Sequence, residues 1–183
     1  TEEGLSFVPE GAENNEIIDY IRARSESVSS LKVLDARFYQ YQYQYQSQSQ
    51  QQSYRQSMEH DVLIENAIEQ TDQLLQTLQG LSDLSLGRYV VLSEHGELVE
   101  PGSEVNLTVA PLIGLAKTAM TERPNLNITL MDLDQNERTC SEIIEVLSRL
   151  NQEQEIAVRN DEVFCLRLVP EKMTAPEQSD LSR

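Results

Sequence analysis

Between Ile128 and Leu133 the chain reads as a strand that is apolar on both of its faces. Side chains alternate across a strand, so such a segment has to be covered on two sides. That is the situation inside a parallel sheet flanked by helices. The neighbouring sequence supplies helices of the right kind. Thr139 and Glu142 form a capping box ahead of a helix with Ile143, Ile144, Leu147 and Leu150 on its apolar face. Upstream, a helix from about Thr108 to Thr121 tolerates Pro111 in its first turn. Its Leu112, Ile113, Ala116, Ala119 and Met120 follow the spacing of one buried face.

The same alternation extends outward in both directions. Leu5–Val8 reads as a strand ended by Pro9, and Asn14 as the cap of a helix with Ile17, Ile18, Ile21 and Val28 on its inner face. Leu31–Leu34 is a second strand. Val62–Ile64 reads either as a short strand or as the opening of a helix. Ile64, Ala67, Ile68, Leu75 and Leu78 mark a helical face, and Gly80 can end it. Tyr89–Leu92 is a strand, with Glu94–Glu97 a loop after it. Glu155–Arg159 and Glu162–Val169 are two strands joined by Asn160-Asp161, a hairpin turn. Repeated strand–helix alternation predicts an open, doubly wound α/β sheet. A length of 183 residues suits one domain, expected over 1–170, with a polar linker or tail over 171–183.

One segment departs from this pattern. Tyr39–Ser57 alternates tyrosine and glutamine and holds five of the seven tyrosines, at positions 39, 41, 43, 45 and 54. Such alternation suits a strand with one aromatic face. The low complexity and few aliphatic residues favour instead an expanded, disordered surface insertion at 39–57.

Composition removes several functions. The formal net charge of −17 repels phosphate backbones, so no nucleic-acid partner is expected. The longest apolar runs fall far short of the roughly 20 residues of a membrane span, so no membrane partner is expected either. Cys140 and Cys165 are too few for a disulfide framework, and each lies in an apolar pattern; both read as reduced thiols in or near a core. Thr1–Gly4 has no signal-peptide character, and the missing initiating Met suits a processed chain or a piece of a longer one. The acceptor patterns at Asn106 and Asn127 read as chance matches, and a cytoplasmic location is expected.

A doubly wound sheet invites a dinucleotide, whose pyrophosphate needs a glycine-rich turn after the first strand. The corresponding turn, Pro9–Asn14, has one glycine and two glutamates. Asp35 falls where a ribose-binding acid would, but reads more simply as a strand-end acid in solvent. The tyrosine–lysine pair of short-chain reductases is missing, since Lys32, Lys117 and Lys172 follow Val28, Ile113 and Leu168 by four residues. His60 and His95 lack neighbours at metal-ligand spacing and read as surface residues. No catalytic, cofactor-binding or metal residue is therefore expected in this chain.

The run Gly114-Leu115-Ala116-Lys117-Thr118-Ala119-Met120-Thr121-Glu122-Arg123-Pro124, continuing to a strand that closes on Asp132-Leu133-Asp134, resembles the ketoreductase regions of modular type I polyketide synthases. Glu155–Arg159 and Phe164–Pro170 are similar to the family's next element. Related fatty acid synthases have similar halves. The resemblance implies a truncated Rossmann-like, non-catalytic structural subdomain, mostly parallel, with a C-terminal β-hairpin. It also implies an NADPH-dependent catalytic subdomain in the same polypeptide, which reduces β-ketoacyl groups carried on an acyl carrier protein. Gly114, Leu115, Lys117, Glu122, Arg123, Pro124, Asp132, Asp134 and Arg159 would be structural motif residues. Read physically, Pro124 stops the helix, Arg123 faces its negative end, and Gly114 allows close approach to the sheet. A stand-alone acidic α/β interaction module is the alternative.

Because the Gln/Tyr segment offers little to bury, deleting Tyr39–Ser57 should leave the thermal midpoint within a few degrees, the change produced by about 1 kcal/mol or less. Collapse of the fold on deletion, followed by circular dichroism, would show the segment to be an integral strand.

Overall fold

Parallel neighbours in a sheet cannot be joined by a tight turn, and the chain supplies a helix at each crossover. The structure, a computed structural model, describes residues 4–8, 12–28, 30–38, 55–102, 105–134 and 138–167. The elements are β1 (Leu5–Val8), α1 (Asn14–Ser27), β2 (Lys32–Asp35), α2 (Arg55–Gly80), β3 (Arg88–Glu94), α3 (Ala110–Glu122), β4 (Ile128–Leu133), α4 (Cys140–Arg149), β5 (Glu155–Arg159) and β6 (Glu162–Cys165). Short 3-10 turns, Leu107–Val109 and Pro124–Leu126, open and follow α3. The strands lie in the order β1-β2-β3-β4-β5-β6, the first five parallel and β6 antiparallel to β5. This is the expected α/β, Rossmann-like sheet with a closing hairpin.

Every residue of β3 and β4 is buried, as a strand apolar on both faces requires. On one face Val33, Tyr89, Val91, Ile128 and Leu130 pack against Ile17 and Ile21 of α1, Leu74 and Leu78 of α2, and Leu112 and Ala116 of α3. On the other face Leu34, Val90, Leu92, Met131 and Leu133 pack against Ile143 of α4, with Val146, Leu147 and Leu150 beside it. Full burial of each such side chain contributes about 1.5–3 kcal/mol.

Strands are added in one direction throughout, so the face on which a helix lies fixes the hand of its crossover. With α1–α3 on one face and α4 on the other, the β4–α4–β5 unit has the opposite hand to the three units before it. Crossovers of parallel strands are nearly all right-handed, so one of these connections is of an uncommon type. Arg88 anchors α4 on its face. Its guanidinium donates to the carbonyls of Leu147, Leu150 and Glu153 at 3.0, 3.1 and 2.6 Å and to Thr129 Oγ1 at 2.7 Å.

Local signals hold where they are self-contained. The Thr139–Glu142 capping box is formed in both directions. Asn160 and Asp161 adopt left-handed φ of 47° and 66°, the pair of conformations that a two-residue type I′ hairpin needs. Other expectations are corrected. Asn14 is not the cap of α1: Glu13 takes that position, and the Asn14 side chain instead bonds Gln76, Arg37 and Thr77. Of the two readings of Val62–Ile64, the helical one holds: it lies within α2. Arg55–Ser57, read as the end of the Gln/Tyr segment, belongs to α2 as well, so a deletion of that segment should stop at Tyr54. Residues 39–54 themselves lie outside the described residues. Cys140 is exposed at the start of α4 rather than in or near a core, and Cys165 is half-buried.

The largest correction concerns α2. Ile64, Ala67, Ile68, Leu75 and Leu78 read as one helical face, but the helix buries Gln70, Leu74, Thr77 and Leu78. Ile64, Ile68 and Leu75 are exposed on a second apolar stripe, with Leu63 beside them.

Candidate functional site

Ligands of open α/β sheets bind beyond the carboxyl ends of the strands. In this chain the ends of β2, β3 and β4 carry buried carboxylates, and two of these, Asp35 at the end of β2 and Asp132 near the end of β4, are fully enclosed. Asp35 is therefore not the solvent-exposed acid that the sequence suggests. Its Oδ1 accepts from the Arg37 backbone N–H at 3.2 Å and from Arg37 Nε at 2.9 Å. Its Oδ2 accepts from Arg37 Nη2 at 2.6 Å and from the Tyr89 hydroxyl at 2.5 Å. Burial pushes the Tyr89 phenol well above its usual range, which keeps that proton in place for the bond. Arg37 also reaches Thr77 and Asn14, tying β2 to α2 and α1.

Asp132 is saturated in the same way. Oδ1 accepts from Ser93 Oγ at 2.6 Å and from the Gly96 N–H at 2.9 Å, and Oδ2 from the Glu97 N–H at 3.0 Å and Arg159 Nη2 at 2.5 Å. Arg159 spends its other donors on the carbonyls of Asp132, Val158 and Glu97. Gly96 is closely packed: a Cβ at that position would lie 2.3 Å from Ile113 Cδ1 and 2.6 Å from Val109 Cγ2, so those side chains would have to shift. Next to this cluster Asp134 is paired with Arg138 and accepts from the Asn160 N–H at 2.8 Å. Lys117 of α3 bridges Glu97 and Glu155 at 2.7 and 2.8 Å. A carboxylate has about four acceptor positions, and each of Asp35 and Asp132 has four donors on it. Neither has an acceptor position left over for a ribose hydroxyl.

Of the motif residues, the fold gathers Asp132, Asp134, Arg159 and Lys117 around the ends of β3, β4 and β5. Leu115 is half-buried against the core, and Gly114, Glu122, Arg123 and Pro124 are exposed. Gly114 does not bring α3 close to the sheet, since a Cβ there would meet no atom within 4 Å. Arg123 does hold the C-cap position, with Pro124 opening the turn beyond it. His95 is half-buried in a left-handed conformation after β3, and the His60 side chain and the Pro9–Gly11 turn lie outside the described residues. Among the described residues no three His, Cys, Asp or Glu side chains are grouped to hold a metal ion, and no helix is long and apolar enough to cross a membrane.

Sequence reasoning missed two things. One is the set of donors that neutralise the acids: Arg37, Tyr89, Ser93, Gly96 and the Glu97 backbone. Only Arg37, two residues from Asp35, leaves a local trace. The other is a groove of about 650 Å³ between α2 and the turn before α3, walled by Leu63, Ile64, Ile68, Leu75, Leu107 and Pro111. Ile68 is 64% exposed and Leu107 76%, values far from those of a closed core. By contrast, the apolar face of Leu112–Met120 points inward, with Leu112 and Ala116 completely buried.

Residues 20–168 match the family described as the Rossmann fold domain of the polyketide synthase extender module SpnB. Among solved structures the chain is similar to one titled "Adenylation, ketoreductase, and pseudo Asub multidomain structure of a keto acid-selecting NRPS module". The TM-score is 0.53 at 13% identity, over 90% of this chain and 14% of that one, so the chain spans a small part of the larger assembly. The search of curated proteins gives no match.

Glu94 completes the acidic group at the end of β3. It is buried, and burial together with the nearby charges of Asp132 and Asp134 pushes its carboxyl up to about 7. An unfolded glutamate titrates near 4.3, so the fold favours the protonated form. That stabilisation is complete below pH 4, and it is lost as pH rises through 7. Glu94→Gln should therefore stabilise the chain at pH 8 by on the order of 2 kcal/mol and leave it near parity at pH 4. Denaturant unfolding at the two pH values tests this, and an equal effect at both would contradict it.

Proposed function

Because this chain belongs to the family of SpnB-type Rossmann fold domains of polyketide synthase extender modules, we propose that it is the non-catalytic structural subdomain of a synthase ketoreductase. It braces an NADPH-dependent half of the same cytoplasmic polypeptide, which reduces β-ketoacyl groups presented by an acyl carrier protein. The observation that carries this reading is the saturation of Asp35 and Asp132. The strand ends where a related fold would receive its dinucleotide are closed by the chain's own donors. What the chain offers instead is surface. The α2 groove exposes Ile64, Ile68 and Leu107, and an apolar patch of that kind marks a docking site.

In this role the chain works by packing. α2 and α3 are fixed to the sheet by the core and by the Arg37 and Arg159 networks, and so form a rigid platform. A catalytic half seated on that platform has its own helices, and with them its cleft, held in one place.

Supplying the ketoreductase catalytic half in trans should raise the thermal midpoint of this chain by several degrees. A partner present at about a hundredfold above its Kd contributes about 2.7 kcal/mol to the folded state. Titration of the chain alone with NADPH should show no binding tighter than about 100 μM. A tighter NADPH complex would refute the non-catalytic reading, and unchanged melting with no complex by light scattering would refute bracing and favour a stand-alone acidic interaction module.

A further inference from the structure

The groove on α2 has a chemistry as well as a shape. Its apolar residues Ile64, Ile68 and Leu75 recur at i, i+4 and i+11, a straight ridge along the helix, with Leu107 and Pro111 as the opposite wall. From Leu63 to Leu75 the ridge is about 18 Å long at the α-helical rise. The walls are α2 on one side and the turn before α3 with its first turn on the other, so the groove presents no strand edge to pair with. The occupant therefore has to satisfy its own backbone, which in a groove of this length means a helix.

Charge decides which helix. Glu65, Glu69 and Asp72 are exposed along α2, and Asp72 lines the groove itself. Over residues 62–80 of α2 there is no Lys or Arg. The side chains bonded to Glu69 and Asp72 are the neutral amides of Gln73 and Gln76, which leave the charges in place. Lys117 of α3 is already held between Glu97 and Glu155. The net charge of −17 adds to the same field.

We infer that the groove between α2 and the turn before α3 seats an amphipathic helix whose apolar stripe is flanked by lysine and arginine. This rests on the docking role proposed above and adds the chemistry of the segment that docks.

Two synthetic helices of about 18 residues, with the same leucine stripe and either lysine or glutamate flanks, test it by fluorescence titration against the 183-residue chain. The lysine helix should bind at least about tenfold tighter in about 50 mM salt, and the preference should shrink in about 500 mM salt. Ile68→Asp, at an exposed position that the fold does not need, should abolish binding of both helices. Glu65→Lys, Glu69→Lys and Asp72→Lys together should invert the preference. Equal binding of the two helices, with loss in Ile68→Asp, would overturn the charge inference while leaving the docking surface standing. Binding that ignores Ile68→Asp, or no binding by either helix, would overturn the groove as a docking site altogether.

Discussion

Asp132 has no exposed surface, and an ionised carboxylate left unpaired in such a place would destabilise the fold by several kcal/mol. Its neutralisation determines how three strands end. Ser93 at the end of β3, the Gly96 and Glu97 amides of the following turn, and Arg159 at the end of β5 all converge on it. The turn after β3 is thereby drawn in, close enough that a side chain at position 96 would displace Ile113 and Val109. Arg159 in turn holds the Glu97 carbonyl, and the Glu97 side chain holds Lys117 of α3. A single buried charge thus connects β3, β4, β5 and α3. It also fills the strand ends from which a related fold builds its ligand site.

The Asp35 network does the same on the other side of the sheet centre. Arg37 and Tyr89 neutralise the acid, and Arg37 extends to Thr77 of α2 and Asn14 of α1. Together the two networks fix α1, α2 and α3 to one face. Because strand order never reverses, those three helices form an uninterrupted layer, and among the described residues α4, through its opposite-handed crossover, is the helix on the second face. The apolar ridge of α2, with Ile64 and Ile68 exposed, lies on this helical layer.

Features decided within a few residues were legible in the sequence. The two-faced burial of β4, the Thr139–Glu142 box and the Asn160-Asp161 turn each depend on a local pattern, and each is present. Features decided by distant partners were not. Asp35 reads as a solvent acid because Tyr89, which donates to it, lies 54 residues away, and Arg37, which supplies its other three bonds from two residues on, is a weak local trace. Asn14 has the composition of a cap, but its tertiary partners Gln76, Arg37 and Thr77 claim the side chain. In α2 the apolar residues fall on two adjoining stripes, at Leu74–Leu78 and at Ile64–Ile68–Leu75. Periodicity merges these into one face, because it records which residues are apolar and not which stripe meets the sheet. Gly114 reads as a contact point for the same reason: glycine permits close approach, but only the fold shows that no neighbour is there.

The central claim is that this chain serves through a covered surface and not through chemistry of its own. Hydrogen exchange of the α2 amides, compared between the isolated chain and the ketoreductase containing both halves, tests it most directly. Opening of a helix is suppressed by whatever packs on it. The account predicts that protection around Ile64–Leu75 and Leu107–Pro111 rises at least tenfold in the two-half protein, with little change at the ends of β3, β4 and β5. Unchanged protection along α2, with new protection around Glu94, Asp132 and Arg159 on adding NADPH, would contradict it.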